Sequence, residues 1–324
     1  MSSKHLIRFA FTVVATIGGM ACGHAQDFPS KPISIVVPYP PGASFDLAAR
    51  LLADVLGKTI GQRVVVDNKP GAGGILGANF VKDSRPDGHT LFQAFIGTHA
   101  VLEALQPIPY DPIKDFEPVS QTNSFANILT VATSSPFRNV ADIVAAARSK
   151  PTGVTYGSQG IGSGTHIIGE MWAAAAKAKL VHVPYKGAAP MLVDVVTNRV
   201  DIGFATFGSA NEYVKDGKVR FLAIAAKQRW NGLPDVPTMA EAGYPGADLD
   251  VWYGLAAPAG TPKPIIDTLN RAIVQASRDT AMINRLKVAG VDVVTGTPEE
   301  FRALWISERS RWGKVIKALG IKAE

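Results

Sequence analysis

Apolar runs of strand length alternate with segments of helical spacing over most of the chain. The run "ISIVVPY" (33–39) is closed by Pro-Pro-Gly and predicts a buried strand and a turn. In "FDLAARLLADVLGKTIG", Leu47, Leu51 and Val55, with Leu52 and Leu56, recur at helical spacing, and Gly57 and Gly61 offer stops. "RVVVDN" predicts the next strand, "KPGAGGILGANFVKD" a helix, "HTLFQAF" a third strand and "IGTHAVLEAL" a third turn and helix. Strand then helix, repeated, predicts a parallel sheet with helices on its faces.

The order resets at "SFANILTVATSSP" (124–136), a long β-rich run without a helix of its own kind. "DIVAAARSK" then predicts a helix, and "GVTYGS" a strand leading into a glycine-rich loop. "KLVHVPY", "VDIGFAT" and "VRFLAIAA" predict strands, with helices over "APMLVDVVTNR" and "SANEYVKDG" between them. A second β-rich run, "VWYGLAAPAGTP" (251–262), precedes two helices that finish the chain. The last opens with Thr297, Pro298 and Glu300, a capping box with proline at the first helical position. Phe301, Leu304, Trp305, Trp312, Val315 and Leu319 mark its apolar face. The pattern therefore predicts two α/β units, one holding 26–127 and 251–324, the other 128–250. Extended crossings near 124–133 and 251–258 join them, which makes a hinge and puts a cleft between lobes.

The first 25 residues break the pattern. Lys4 and Arg8 precede the apolar core "FAFTVVATIGGM", too short to span a bilayer, and Gly23 and Ala25 stand at the small positions before a cut. A secretory signal peptide over 1–25 is expected, with Gln26 as the new terminus and the protein in the periplasm; lipidation at Cys22 is the minor alternative, since Gly19 stands where such a site prefers Leu. Cleavage removes the only cysteine, so no disulfide is available, and leaves 31 basic against 27 acidic residues, a net charge of +4. That charge favours anionic small molecules slightly. The basic residues are scattered and leave no nucleic-acid footprint.

Four strand-to-helix turns are alike in being short and rich in Gly, Ser or Thr. They are "PYPPGASFD", "FIGTHA", "GSQGIGSGTH" and "FATFGSA". In an open α/β sheet the ligand crevice lies at the carboxyl ends of the strands. A helix start there offers unpaired N–H groups and about half a positive charge, which suits an anion without arginine. Serine and threonine cap helices in many proteins, so one such loop says little; four of them in two units of an exported chain point to binding. Other chemistries fail on spacing. Ile161 and Thr165 stand where a nucleophile elbow around Ser163 needs glycine. Gly77 falls one residue late for a dinucleotide loop, and no G-K-[ST] occurs. His89, His99, His166 and His182 show no metal-ligand spacing. No cofactor and no metal are expected. An exported serine hydrolase using Ser163, with His166 as base, remains the alternative from another class.

Nine segments together carry a resemblance: "PSKPISIVVPYPPGASFDLAARLLA", "GQRVVVDNKPGAGGILGA", "PDGHTLF", "YDPIKDFEPVS", "YGSQGIGSGTH", "HVPYKGAAPMLVDVV", "LPDVPTMAEAGYPG", "YGLAAPAGTPKPIID" and "GTPEEF". In these and in their order the chain resembles the periplasmic substrate-binding proteins of tripartite tricarboxylate transporters, the Bug-type receptors. The resemblance implies a two-lobed periplasmic-binding-protein fold, type II-like, with two crossing strands and a central cleft. It also implies a monomer that closes on a carboxylate and meets a small and a large membrane subunit. Carried onto this chain, the ligand positions are Pro41 to Asp46 (Gly42, Ala43, Ser44 and Phe45 among them), Gly97 and Thr98, Gln159 to His166 (with Gly160, Gly162, Ser163 and Thr165), and Thr206 to Ser209 with Phe207. Lys186 in "PYKG" lines the cleft side in such proteins and equally suits a solvated surface.

Two departures bear on the ligand. The first loop usually reads Pro-Gly-Gly before a small residue and Asp; here Ala43 replaces the second glycine and Phe45 precedes Asp46. After "VDIGF" the family usually has Asp, where Ala205 and Thr206 stand, followed by Phe207. Losing a carboxylate removes a repulsion toward an anion, and Phe45, Phe207 and Phe95 add flat apolar surface. Phenylalanine is also common in cores. Stacking contributes roughly 0.5–1.5 kcal/mol per ring pair beyond burial. An aromatic dicarboxylate of the terephthalate type is therefore the expected ligand, with an aliphatic di- or tricarboxylate of four to six carbons as the alternative. A signalling receptor would share this fold and differ only in its partner.

Overall fold

The computed structural model describes residues 28–42, 44–230, 232–249 and 251–320. The segment expected to be a signal peptide (1–25, with Cys22), Gln26 and Ala43 lie outside the described residues. In chain order the first part holds β1 (Ile33–Val37), α1 (Ser44–Ile60), β2 (Val64–Asn68), α2 (Ile75–Lys82), β3 (Thr90–Phe95), α3 (Leu102–Leu105) and β4 (Phe116–Phe125). There follow β5 (Asn127–Ala132), α4 (Val140–Ser149), β6 (Val154–Ser158), α5 (Gly164–Ala176), β7 (Leu180–Pro184), α6 (Ala188–Val196), β8 (Ile202–Thr206), α7 (Phe207–Lys215) and β9 (Val219–Ile224). The chain finishes with β10 (Val251–Pro258), α8 (Lys263–Ala276), α9 (Thr280–Val288), β11 (Val291–Val293) and α10 (Pro298–Leu319).

The strands form two sheets, ordered β11-β4-β10-β3-β1-β2 and β7-β6-β8-β5-β9. Both are mixed, which corrects the expectation of purely parallel sheets. Pairs joined by a helical crossover, β1 with β2 and β3, and β6 with β7 and β8, are parallel. The strands next to the crossings enter from the other side. β10 runs antiparallel between β3 and β4, and β5 runs antiparallel between β8 and β9.

Two further expectations change. The first crossing is a single residue, Ala126, between the end of β4 and the start of β5, and β4 begins well upstream at Phe116. β10 lies wholly in the first sheet, so the return crossing precedes 251. Ala225 N donates to Asn127 O at 2.8 Å and Leu249 N to Ala225 O at 3.1 Å, so the crossing segments run hydrogen-bonded side by side. After β10 the chain forms three helices and the short β11 rather than two helices. Asp279 caps α9, its side chain accepting from Met282 N, and splits what reads as one helix.

The α1 periodicity holds in the packing: Leu51, Leu52 and Leu56 are buried and Leu47 and Val55 pack against the core. In α10 the Thr297–Glu300 capping box is complete, with Thr297 Oγ1 accepting from Glu300 N and Glu300 Oε2 from Thr297 N. Phe301, Trp305 and Trp312 of its apolar face are fully enclosed, and the Trp305 ring lies 4.4 Å from that of His99. The C-terminal helix thus clamps the turn after β3, one of the four loops of interest.

Candidate ligand-binding cleft

Strand register decides where the loops go. β1, β3 and β4 end on one edge of the first sheet, where antiparallel β10 begins: Tyr253 faces Phe95, and Val251 faces Phe125. In the second sheet β6 and β8 end on the edge where β5 begins, with Asn127 opposite Thr206. Both crossings leave from these edges, so the edges face one another. Contacts across them confirm the approach. A Cβ on Gly162 would stand 2.8 Å from Leu102 Cδ2, one on Gly164 2.8 Å from Val251 Cγ2, and one on Gly290 2.4 Å from Phe207 Cβ.

The first loop, 38–46, is held by charge. Asp46 is buried; its Oδ2 accepts from Gly42 N at 2.9 Å and Arg50 Nε at 3.0 Å, and its Oδ1 from Asn68 Nδ2 at 2.8 Å. Asn68 also donates to Tyr39 O and accepts from Arg50. Burial pushes the Asp46 carboxyl up, but these donors outweigh it and hold it below the usual carboxylate value. Gly42 turns the chain at φ 97°, a region that an L side chain rarely enters. Asp46 is therefore a clamp on the loop, and its charge is neutralised locally. Ser44 is the first residue of α1.

Phe45, expected as a stacking platform, is closed off. Its ring lies 4.0 Å from Tyr39 and stacks at 5.8 Å on Tyr253, leaving 6 % of the residue exposed. Phe95 joins the same cluster, stacked on Tyr253 at 5.6 Å and 2 % exposed. The hydroxyls of Tyr39 and Tyr253 hydrogen-bond to each other. The second loop is buried too. Gly97 begins a π-helical turn (Gly97–Val101) and leaves room for the Phe95 ring, which would meet a Cβ at 2.3 Å. Thr98 Oγ1 donates to Phe95 O at 3.2 Å and lies 3.0 Å from His99 Nδ1.

The third loop is held without charge. Ser163 caps α5; its hydroxyl donates to Gly160 O at 2.6 Å and accepts from His166 N at 3.3 Å. Thr165, two residues beyond the cap, is buried, and its Oγ1 accepts from Gln159 N at 2.9 Å and lies 2.9 Å from Ser163 Oγ. Because the Ser163 proton goes to Gly160 O, the Thr165 hydroxyl donates to Ser163. His166 Nδ1 accepts from Gly162 N at 3.2 Å. The rings of His166 and His182 stack at 4.1 Å, and His182 Nε2 meets Ser158 Oγ at 2.6 Å, which accepts from Gly160 N. An acceptor at Nδ1 requires neutral His166. Burial lowers its pKa to about 4 and that of His182 to about 3, the latter also through the nearby His166. The Ser163 hydroxyl bonds Gly160 O, the His166 backbone and Thr165 rather than the His166 ring, so the nucleophile–base pair of the hydrolase alternative does not form here.

In the fourth loop Thr206 ends β8 and lies 2.7 Å from Ser209 through their hydroxyls. Phe207 opens α7, half-buried, with its ring 4.6 Å from Trp230 and 6.0 Å from Phe221. Lys186 is exposed. None of the four loops carries Lys or Arg, so an anion between them meets helix starts, hydroxyls and amides. Cavities of about 880 and 810 Å³ lie elsewhere, the first lined by crossing residues such as Ala126 and by Trp230 and Arg278, the second beside α1 and β2. No candidate residue and no helix start lines either, so neither offers the oriented donors that the facing loops share.

Sequence reasoning missed Tyr39 and Tyr253, which occupy the apolar face near Phe45, and the Ser158–His182 pair beneath the third loop. The only signal was weak: Tyr39 closes the first strand, and His182 lies on a strand two elements later.

Two lobes whose strand-end loops face one another across paired crossings define a periplasmic-binding-protein architecture. Residues 48–321 match the family described as the tripartite tricarboxylate transporter family receptor, and the chain belongs to that family. It is 37% identical over 290 residues to the UPF0065 protein in the tcbD-tcbE intergenic region of a Pseudomonas species, covering 89% of this chain and 86% of that one. It is 33% identical to protein BugT of Bordetella pertussis, over 99% of each chain. Among solved structures, an R. palustris protein with adipate superposes with a TM-score of 0.85 at 34% identity, covering 91% of this chain and 99% of that one. MatC from Rhodopseudomonas palustris with bound malate gives 0.82 at 34% identity, covering 89% and 100%. No helix among the described residues is long and apolar enough to cross a membrane.

Proposed function

We propose that the chain is an exported receptor whose lobes close on a small dicarboxylate and present it to the two membrane subunits of a tripartite tricarboxylate transporter. The observation that carries this reading is the pair of facing sheet edges, where the helix starts of both lobes meet with neutral donors and no basic side chain. Helix N-termini and hydroxyls hold carboxylates by oriented dipoles, and a donor at each edge suits an acid with a carboxylate at each end. The ligand class is aliphatic, with four to six carbons. Relatives at 34% identity were solved with adipate and with malate, and the rings of Phe45 and Phe95 face each other's neighbours rather than the cleft. An aromatic dicarboxylate is the second reading, favoured by Phe207, whose ring is half-buried at the start of α7. The candidate contacts are Gly42 to Ser44, Gln159 to Thr165 and Thr206 to Ser209.

A thermal-shift screen with succinate, malate, adipate and terephthalate tests the class. A ligand at 100 times its dissociation constant stabilises by about 2.7 kcal/mol. A shift with malate or adipate and none with terephthalate is expected. A shift with terephthalate alone moves the assignment to the aromatic class, and no shift with any of the four refutes the dicarboxylate receptor.

A further inference from the structure

Asn127 has no part in the four loops, yet the fold sets it beside two of them, the third and the fourth. It is the first residue of β5, immediately after the single residue that joins the two sheets. Its backbone is locked on both sides: its carbonyl accepts from Ala225 N at 2.8 Å, and its register partner is Thr206, the residue before α7. The residue is 2 % exposed. Its Nδ2 stands 3.7 Å from the position of a Cβ on Gly164, the first residue of α5. That amide nitrogen, with two protons to donate, has no hydrogen-bond partner among the described residues.

A buried donor without an acceptor is costly, and native structures rarely keep one without use. Leucine has the same branched skeleton, with bulkier methyl groups, and would remove the orphan donor. Three features coincide at Asn127: an orphan donor, the start of a thirteen-residue helix with the partial positive charge of its N-terminus, and the edge of the sheet that faces the other lobe. Each favours an acceptor that carries negative charge. An amide, unlike lysine, supplies donors without a full charge, so it needs no counter-ion when the cleft is empty of anion.

We infer that Asn127 is a ligand-contacting and specificity-determining residue, whose Nδ2 donates to a carboxylate seated at the α5 start. The inference rests on the dicarboxylate-receptor reading. Because Asn127 follows the first crossing directly, the bond forms at the hinge itself and would hold the lobes in their closed relation.

Calorimetry with malate and adipate on the unaltered protein, Asn127→Leu and Asn127→Ala, together with melting of each protein without ligand, tests this. Affinity should fall roughly ten- to hundredfold in both variants. The melting temperature of ligand-free Asn127→Leu should hold or rise, because the orphan donor is gone; a residue needed only for structure would lower it. If the unaltered protein binds neither acid, the aliphatic assignment fails and the comparison is repeated with terephthalate; if it binds none of the three, the receptor reading fails and this one with it. If it binds and Asn127→Leu binds within twofold as well, this inference alone is overturned. Lower melting of both variants with affinity intact also overturns it, since Asn127 would then serve the fold and not the ligand.

Discussion

The loop after β1 and the loop after β6 do the same job with opposite chemistry. Each holds a glycine turn ahead of a long helix. The first uses a carboxylate: Asp46 ties Gly42, Arg50 and Asn68 together, and Arg50, 46% exposed in its side chain, reaches water. The third uses none: Ser158, Ser163, Thr165, His166 and His182 pass hydrogen bonds among neutral groups. The difference follows from burial. A charge can be kept where its partner is solvated, whereas an enclosed loop pressed against Leu102 must remain neutral to avoid a large desolvation cost. Acid should therefore disturb the two loops in different ranges.

The largest effect is expected from pH. His166, His182 and the fully buried His99 have pKa values lowered from 6.5 to about 4, 3 and 3, chiefly by burial. The unfolded chain binds these protons from pH 6.5 downward while the native state does not, so their contribution is complete above 6.5 and is lost as pH falls toward 4 for His166 and toward 3 for His99 and His182. Unfolding in urea should show stability falling by several kcal/mol between pH 6.5 and 4.5, mostly through His99 and His166; solvent screens His182 more. A flat profile across that range would show that these rings are charged or solvated in the native state.

Asp46→Asn should come next. It removes the charge from three donors and leaves one of them facing an amide N–H, at a cost of about 3 kcal/mol. The Asp46 carboxyl lies below 3.8 in the native state, so its contribution is complete above that value and disappears only below it. The urea profile of Asp46→Asn should accordingly lie below that of the unaltered protein by a constant amount from pH 6.5 to 4.5. A change of slope in that interval would mean that the charged clamp and the neutral network titrate together.

Thr165→Val probes the neutral loop and should have the smallest effect. Its hydroxyl accepts from Gln159 N and donates to Ser163, so the loss should be about 1–2 kcal/mol of stability. Affinity for malate or adipate should fall less than tenfold, through displacement of the Gln159 backbone. A hundredfold loss of affinity with unchanged melting would place the hydroxyl on the ligand instead.

Local signals carried far along this chain. Apolar periodicity located α1, the Thr297–Glu300 box located the start of α10, and the glycine–serine–threonine turns located all four loops, because each depends on neighbours a few residues apart. What escaped was pairing across distance. The antiparallel strands beside the crossings have the same apolar composition as the parallel ones, so strand direction leaves no trace in the residues themselves. Phe45 reads as a loop aromatic beside a ligand, yet Tyr39 and Tyr253, the latter more than two hundred positions away, enclose it. Thr165 stands among the ligand positions that the resemblance implies, and its hydroxyl is already engaged with Gln159 and Ser163.

The residues alone thus determined two α/β units and the glycine-, serine- and threonine-rich turns at their helix starts, since helix starts and turns follow from local sequence. Only the tertiary structure decided which hydroxyls are already engaged within their own loop, which ring faces the core, and that the Asn127 amide keeps an unpaired donor beside the start of α5. Hydrogen-bond saturation is a property of the whole neighbourhood. It depends on strand register and on the approach of two lobes, and no stretch of sequence contains either.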